Sequence, residues 1–128
     1  MDRNTLNLYR FEVEYFPKNH YLLKSQPIST LQNLGEKIWY DYNVTPRKMP
    51  LIRFGAGYYC YSWTDGDVIE LAPWERNKLV LIHEMTHILG YPNHDKHFVR
   101  LYMELLMQYT PIKEMVLLGG LTFYNISH

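Results

Sequence analysis

The chain has 128 residues, and its 13 basic side chains balance 13 acidic ones, for a formal net charge of zero. This length suits one domain over residues 1–128, and 47% hydrophobic with 20% charged residues exclude intrinsic disorder. The zero charge gives no bulk attraction to nucleic acid or anionic membranes, and the single cysteine, Cys60, excludes an internal disulfide and a cysteine-rich zinc finger.

A β-strand is predicted near the start of the chain, over Leu8 to Phe16. Phe11, Val13 and Tyr15 alternate with glutamates, and this period of two is typical of a strand with one apolar face. The strand is followed by a loop that runs to residue 28. This segment is therefore expected to add an edge to a sheet.

The first helix is predicted to begin at Ser29. Ser29 and Gln32 fit a capping box, in which the side chains at the first and fourth positions satisfy free backbone N–H groups. Apolar residues then recur at helical spacing up to Tyr42: Leu31, Leu34 and Ile38. The proline-containing loop Thr45–Pro50 ends this helix.

Three short strands are predicted next. They cover Leu51–Phe54, Tyr58–Trp63 and Asp67–Leu71, separated by turns at Gly55–Gly57 and Asp65–Gly66. Strands joined by such short turns are usually neighbours in a sheet. The sequence therefore predicts a small antiparallel meander.

Helices are predicted for most of the remaining chain. One begins near Asn77 and ends at Gly90, a residue type common just after the last helical turn. The next is capped by Asp95, and its apolar stripe continues to Tyr109. A last helix is predicted from Thr110 and Pro111 to Gly119 and Gly120, and the tail 121–128 has no assignment. The order of elements indicates an α+β fold.

The motif with the clearest chemical content is His83-Glu84-Met85-Thr86-His87, an H-E-x-x-H pattern inside a predicted helix. Two histidines four residues apart lie on one helix face, so both can bind one Zn²⁺ ion. Glu84 lies beside them and can act as general base and then as general acid. Apolar residues on both sides of the motif predict a buried segment, where three such groups require a metal or another partner.

A catalytic zinc ion needs a third protein ligand and one open position, and His94 is the expected ligand. It follows Gly90 by four residues, so the chain can fold back and bring its imidazole to His83 and His87. Asp95 and His97 are alternative ligands, although Asp95 also fits the helix cap. His20 and His128 are expected to be ordinary solvated residues.

Residues from Leu51 to Tyr109 resemble the small SprT-like zinc metallopeptidases of the zincin superfamily. The resemblance lies in Arg53-Phe54-Gly55, in 69–72 leading into 81–87, and in His94 followed by 98–106. The histidine of a late H-x-x-x-F segment is the third zinc ligand in that family, which favours His94. The resemblance implies a minimal zincin-like domain, in which a small sheet packs on the H-E-x-x-H helix and its flanking helices.

Two related patterns fit less well. A metzincin would place its third histidine at position 93, and Asn93 is a poor zinc ligand. Longer SprT-type proteins carry a separate zinc ribbon or nucleic-acid module, and one cysteine with zero net charge gives no sign of either. Nucleic acid is therefore not an expected partner.

The function predicted from the sequence is a zinc-dependent metallopeptidase that acts on a peptide or protein substrate. The substrate is expected to pair with an exposed strand of the 58–71 hairpin, and Tyr91 or Tyr102 could stabilise the oxyanion. The alternatives are a non-catalytic binding module with a closed site completed by Asp95 or His97, and a zinc hydrolase for another amide or ester. The absence of a signal sequence and of an apolar membrane span predicts a cytoplasmic protein.

Overall fold

The computed structural model describes residues 3–43, 45–56 and 61–128, and these have an α+β architecture. In these ranges, five α-helices accompany a three-stranded mixed sheet. The helices are α1 (Arg3–Arg10), α2 (Ile28–Tyr42), α3 (Lys78–Ile88), α4 (Lys96–Tyr109) and α5 (Glu114–Phe123). The strands are β1 (Leu51–Phe54), β2 (Trp63–Thr64) and β3 (Val68–Leu71).

The N-terminal segment is helical, so the strand predicted over Leu8 to Phe16 is wrong. Helix α1 continues directly into a π-helical turn at Phe11–Tyr15. Leu8, Phe11 and Phe16 are buried, whereas Val13 is 75% exposed, which a strand with Phe11 and Val13 on one face would not give. The alternation reflects two glutamates between apolar residues, and the wider π turn accommodates the five-residue step between the buried phenylalanines.

Helix α2 was predicted nearly in full, but not its cap. The helix begins at Ile28 after Pro27, without a side-chain cap, and Gln32 donates instead to the Glu36 carboxylate at 3.1 Å. The capping box is therefore wrong. Gly35 faces the sheet, where an added Cβ would lie 2.5 Å from Cδ1 of Ile52, so the absence of a side chain lets α2 approach β1 closely.

The sheet is mixed, and the predicted antiparallel meander is wrong. Its order is β1-β3-β2, with β1 parallel and β2 antiparallel to β3. The most buried strand, β3, takes the centre, and Gly55 N–H extends its pairing with β1 by donating to the Leu71 carbonyl. The predicted second strand is reduced to Trp63–Thr64, and its beginning at Tyr58–Cys60 lies outside the described residues.

The turn between β2 and β3 is the predicted one. Gly66 has a φ of 98°, and the Asp65 carboxylate accepts from the N–H groups of Asp67 and Val68 at 2.9 and 3.0 Å. Glycine adopts this positive φ without steric cost. The turn places β2 at the sheet edge next to α3.

Helix α3 carries the motif and has the predicted ends. The Asn77 side chain accepts from Val80 N–H at 2.9 Å, and Gly90 follows the last turn with a φ of 115°. Nine of the eleven residues of α3 are buried, all of them between Leu79 and Ile88, so α3 lies in the interior of the fold. The motif histidines therefore belong to a rigid element.

The prediction is confirmed for the start of α4 and wrong for the bounds of α5. Asp95 caps α4 as predicted, since its carboxylate accepts from His97 and Phe98 N–H at 3.0 Å. Helix α5 begins at Glu114 rather than at Thr110 and continues through the glycine pair to Phe123. Gly120 is a packing residue, because an added Cβ would overlap the ring of Phe11. Among the described helices, none combines the length and apolarity that a membrane crossing requires.

Candidate metal centre

Three histidines converge between α3 and the loop that follows it. His83 and His87 lie one turn apart on α3, and the chain reverses after Gly90 to bring His94 beside them. Nε2 of His94 lies 3.0 Å from Nε2 of His83 and 3.0 Å from Nε2 of His87. This group is the one that, in the described ranges, could hold a metal ion.

The opposite nitrogen of each ring is engaged by a separate partner. Nδ1–H of His83 donates to the Glu12 carboxylate at 2.6 Å, and Nδ1–H of His87 donates to the Tyr91 carbonyl at 2.8 Å. Carboxylates and carbonyls only accept, so these two Nδ1 atoms carry protons. Nδ1 of His94 lies 2.9 Å from the Thr5 hydroxyl. In the neutral rings, the Nε2 lone pairs of His83 and His87 therefore face the centre.

The three Nε2 atoms are better satisfied by one shared metal cation than by hydrogen bonds to one another. An imidazole nitrogen has either one proton or one lone pair in the ring plane, so Nε2 of His94 can form a hydrogen bond to only one of its two Nε2 neighbours. One metal ion would satisfy all three nitrogens. Tetrahedral Zn–N bonds of about 2.0–2.1 Å place ligand nitrogens roughly 3.3 Å apart, which is close to the spacing here.

Phe98 packs against the whole trio. Its ring centroid lies 5.1 Å from that of His83, 4.7 Å from His87 and 4.9 Å from His94. Phe98 itself is fully buried on α4. It supplies an apolar wall that restricts the three imidazoles and explains the H-x-x-x-F spacing seen in the sequence.

Glu12 is a site residue that the sequence did not reveal. The predicted strand would have left Glu12 on its polar face, whereas Glu12 is 9% exposed in the π-helical turn. Its Oε2 accepts from His83 and, at 2.6 Å, from the Tyr102 hydroxyl. Burial opposes the charged imidazolium, but the Glu12 carboxylate outweighs burial and raises the pKa of His83 to about 9. Without a metal, Nε2 of His83 therefore also carries a proton near neutral pH, and a metal ion would replace that proton.

Thr5, Tyr9 and Glu12 form one face of the N-terminal segment. They are spaced at i, i+4 and i+7, which is a helical stripe that the strand interpretation concealed. Thr5 contacts His94, Glu12 contacts His83, and the Tyr9 ring stacks on His83 at 6.1 Å between centroids. A helical interpretation of residues 3–15 could have revealed this face.

Glu84 lies in the same helix turn as His83 and reaches an open cavity. Burial raises the pKa of its carboxyl to about 7, with Glu12 adding to the effect. Burial also lowers the pKa of His87, to about 4, with the neighbouring His83 contributing. Near neutral pH, His87 is therefore unprotonated and Glu84 can both accept and release a proton.

The cavity has a volume of about 560 Å³ and is bounded by the candidate metal ligands and by β2. Glu84, His87 and His94 line one side, and residues 61–66 line another. Tyr9 contributes a ring that is 40% exposed. Burial and the charges of Glu12 and Glu84 raise the pKa of Tyr9, so its hydroxyl stays protonated at neutral pH.

The alternative ligands lie outside the trio. Asp95 is exposed and accepts the hydrogen bonds of the α4 cap, and His97 is exposed in the first turn of that helix. Of the other histidines, His128 is exposed, whereas His20 is only partly so and packs on Phe16 with 4.6 Å between ring centroids.

The two tyrosines proposed for the oxyanion have other contacts. Tyr102 is 1% exposed and donates to Glu12, and Tyr91 provides its backbone carbonyl to His87. Neither borders the cavity, whereas Tyr9 does. Searches of protein-family models, curated proteins and solved structures found no match to this chain.

Proposed function

We propose that this chain is a zinc-dependent hydrolase, and specifically a metallopeptidase of the SprT-like, zincin type. The observation that carries the proposal is the convergence of three histidine Nε2 atoms beside Glu84 at an open cavity. His83, His87 and His94 would hold the metal, and imidazole ligands suit zinc among the divalent metals. No fourth protein ligand joins them among the described residues, as catalytic zinc requires.

Glu84 is the proton carrier of this mechanism. A zinc ion held by His83, His87 and His94 would supply Lewis-acid chemistry, which lowers the pKa of water toward about 7 and polarises a carbonyl. Glu84 takes the proton from the attacking water and transfers it to the leaving nitrogen. Its raised pKa of about 7 matches both roles, because the group then exchanges a proton at little cost near neutral pH.

The cavity is suited to an extended chain. Strand β2 lies at the sheet edge, and its residues form part of the cavity wall opposite Glu84 and His87. A peptide in extended conformation would lie along this edge, with its carbonyl near Glu84. Tyr9 lines the cavity and stacks on His83, and its hydroxyl would donate to the developing oxyanion.

The test compares the wild-type protein with Glu84→Gln after both are loaded with one equivalent of zinc. Peptide-library cleavage followed by mass spectrometry is expected to show hydrolysis by the wild type, and a loss of about 10²- to 10⁴-fold in the variant. Zinc content should be equal in the two proteins. Glu114→Gln is the control, because Glu114 is exposed on α5.

Three results would change this proposal. Equal hydrolysis by Glu84→Gln and the wild type would remove Glu84 from the mechanism. Cleavage of small esters or amides without any peptide cleavage would keep the hydrolase and replace its substrate class. A wild-type protein that binds zinc in a closed site and hydrolyses none of these substrates would favour the binding module.

A further inference from the structure

We propose that Glu12 and Tyr102 form a buried pair that positions His83 for metal binding. The inference rests on the metal site of the proposed function and assigns a positioning role to two residues far apart in the sequence. Glu12 belongs to the π-helical turn, Tyr102 to α4 and His83 to α3. One carboxylate oxygen therefore joins three elements at the metal centre.

The geometry fixes the direction of each hydrogen bond. Oε2 of Glu12 lies 2.6 Å from Nδ1 of His83 and 2.6 Å from the Tyr102 hydroxyl oxygen. A carboxylate only accepts, so both partners donate, and His83 keeps its proton on Nδ1. The imidazole is then held with Nε2 toward His87 and His94.

Burial of these three polar groups is costly, and a cation bound at the metal site would offset part of that cost. Glu12, His83 and Tyr102 are 9%, 3% and 1% exposed. A carboxylate at such a position loses its hydration, and two short hydrogen bonds compensate for part of that loss. When a cation is bound, the negative charge also increases the basicity of the ligating imidazole, which strengthens the metal bond.

Glu12 lies in the π-helical turn, on the same face of the N-terminal segment as Thr5 and Tyr9. Adjacent residues Phe11 and Glu12 are both buried, with Phe11 against α5 and Glu12 against α3 and α4. Turns of this type occur often at functional sites. The same segment contributes Thr5 to His94, so two of the three ligands are oriented from the N-terminal segment.

The experiment measures zinc affinity by competition with a chromophoric chelator for the wild type, Glu12→Gln and Tyr102→Phe. Glu12→Gln removes the charge while keeping the side-chain size, and is expected to weaken zinc binding about 10- to 100-fold. Tyr102→Phe should also weaken zinc binding, but by a smaller factor. Glu14→Gln is the matched control, since Glu14 is half-exposed on the same turn and its contacts are with Arg10, at 3.6 Å, and with Tyr124. The zinc affinity of this variant should equal that of the wild type.

A spectroscopic readout separates positioning from simple structural support. Cobalt(II) substituted for zinc should give a visible absorption spectrum that changes in Glu12→Gln and not in Glu14→Gln. Thermal unfolding of the metal-free proteins shows whether each variant folds. If Glu12→Gln does not fold, Tyr102→Phe carries the test, and wild-type zinc affinity with an unchanged cobalt spectrum would overturn the inference.

The outcomes also separate this inference from the proposed function. Weaker zinc binding by Glu12→Gln, together with no hydrolysis by the wild type, would support the positioning role and reject the hydrolase. Hydrolysis by the wild type, together with unchanged zinc affinity in Glu12→Gln and Tyr102→Phe, would support the hydrolase and reject the positioning role. Failure of the wild type to bind zinc would overturn both.

Discussion

Among the single residues at the candidate site, Tyr9 is the one that the sequence least suggested. Its ring borders the cavity, stacks on His83 and meets the edge of His94 at 5.7 Å between centroids. Its raised pKa keeps the phenol protonated, so it can donate a hydrogen bond to a developing negative charge. This role needs no change in the ligand set.

Tyr9→Phe is expected to lower kcat by about 10²- to 10³-fold, the usual effect of removing one oxyanion donor. KM should change little, because the interaction forms mainly in the transition state. Steady-state kinetics on a cleaved peptide would measure both, and zinc content would verify that the site is intact. Tyr40→Phe is the control, since Tyr40 is exposed on α2, and an equal loss in both variants would contradict the role of Tyr9.

Asp95→Ala distinguishes a helix cap from a metal ligand. The Asp95 carboxylate accepts two backbone N–H groups at the start of α4, so its loss should reduce the free energy of unfolding by about 1 kcal/mol. Zinc affinity should remain at the wild-type value. Chemical denaturation measures the first quantity and chelator competition the second. Loss of zinc from Asp95→Ala, or from His97→Ala at the exposed His97, would instead support a closed site with that residue as fourth ligand.

At the scale of elements, α5 depends on the contact between Gly120 and the π-helical turn. A side chain at Gly120 would overlap Phe11 and lie 2.9 Å from Cε2 of Tyr15. Gly119 is exposed, and an added Cβ there would approach only the Tyr15 hydroxyl, at 3.3 Å. The two adjacent glycines therefore differ in function.

Gly120→Ala should reduce the free energy of unfolding by about 1–3 kcal/mol, because two aromatic rings must move to accept the methyl group. Gly119→Ala should be neutral or slightly stabilising, since alanine favours the helix by up to about 1 kcal/mol. Urea denaturation of both variants makes the comparison. Equal stabilisation of both variants would show that helix propensity, rather than packing, dominates at this pair.

At the scale of the whole molecule, the fold has a core that does not require a metal. Buried side chains extend through α2, β3, α3, α4 and α5, and Leu71, Ile82 and Leu105 are fully inaccessible. The candidate metal ligands are two residues of α3, His83 and His87, and His94 of the loop that follows it. Metal binding should therefore add stability to a protein that already folds.

Zinc at a free concentration 100 times its Kd should stabilise the protein by about 2.7 kcal/mol. For a chain of this size, that raises the Tm by roughly 8 °C, and magnesium at the same concentration should have no effect. Calorimetry with and without a chelator is the measurement. Loss of cooperative unfolding after chelation would instead make the metal a structural requirement.

Local signals allowed the motif helix to be predicted closely. Asn77, Gly90 and Asp95 act through backbone groups within three or four residues, and a short sequence contains that information. The position of His94 beside the motif also followed from a short reversal of the chain. These features are local, so they could be predicted from sequence.

The errors concern features that depend on distant partners. Strand order in the sheet is decided by which strand is most buried, and Gly120 serves a contact with residue 11 rather than a helix end. Glu12 meets His83 across 71 residues of sequence. Neither periodicity nor turn composition contains these pairings, and the two glutamates of residues 11–15 imitated a strand.

The spacing of Thr5 and Glu12 makes the N-terminal segment sensitive to chain length. The two residues are seven positions apart in a continuous helical segment, which places them on one face of it. Deleting one residue between Thr5 and Tyr9 would rotate Thr5 by about 100° relative to Glu12, so only one of these two contacts with the histidines could form. A single-codon deletion there would therefore resemble the loss of an active-site residue, although no side chain at the metal centre had been replaced.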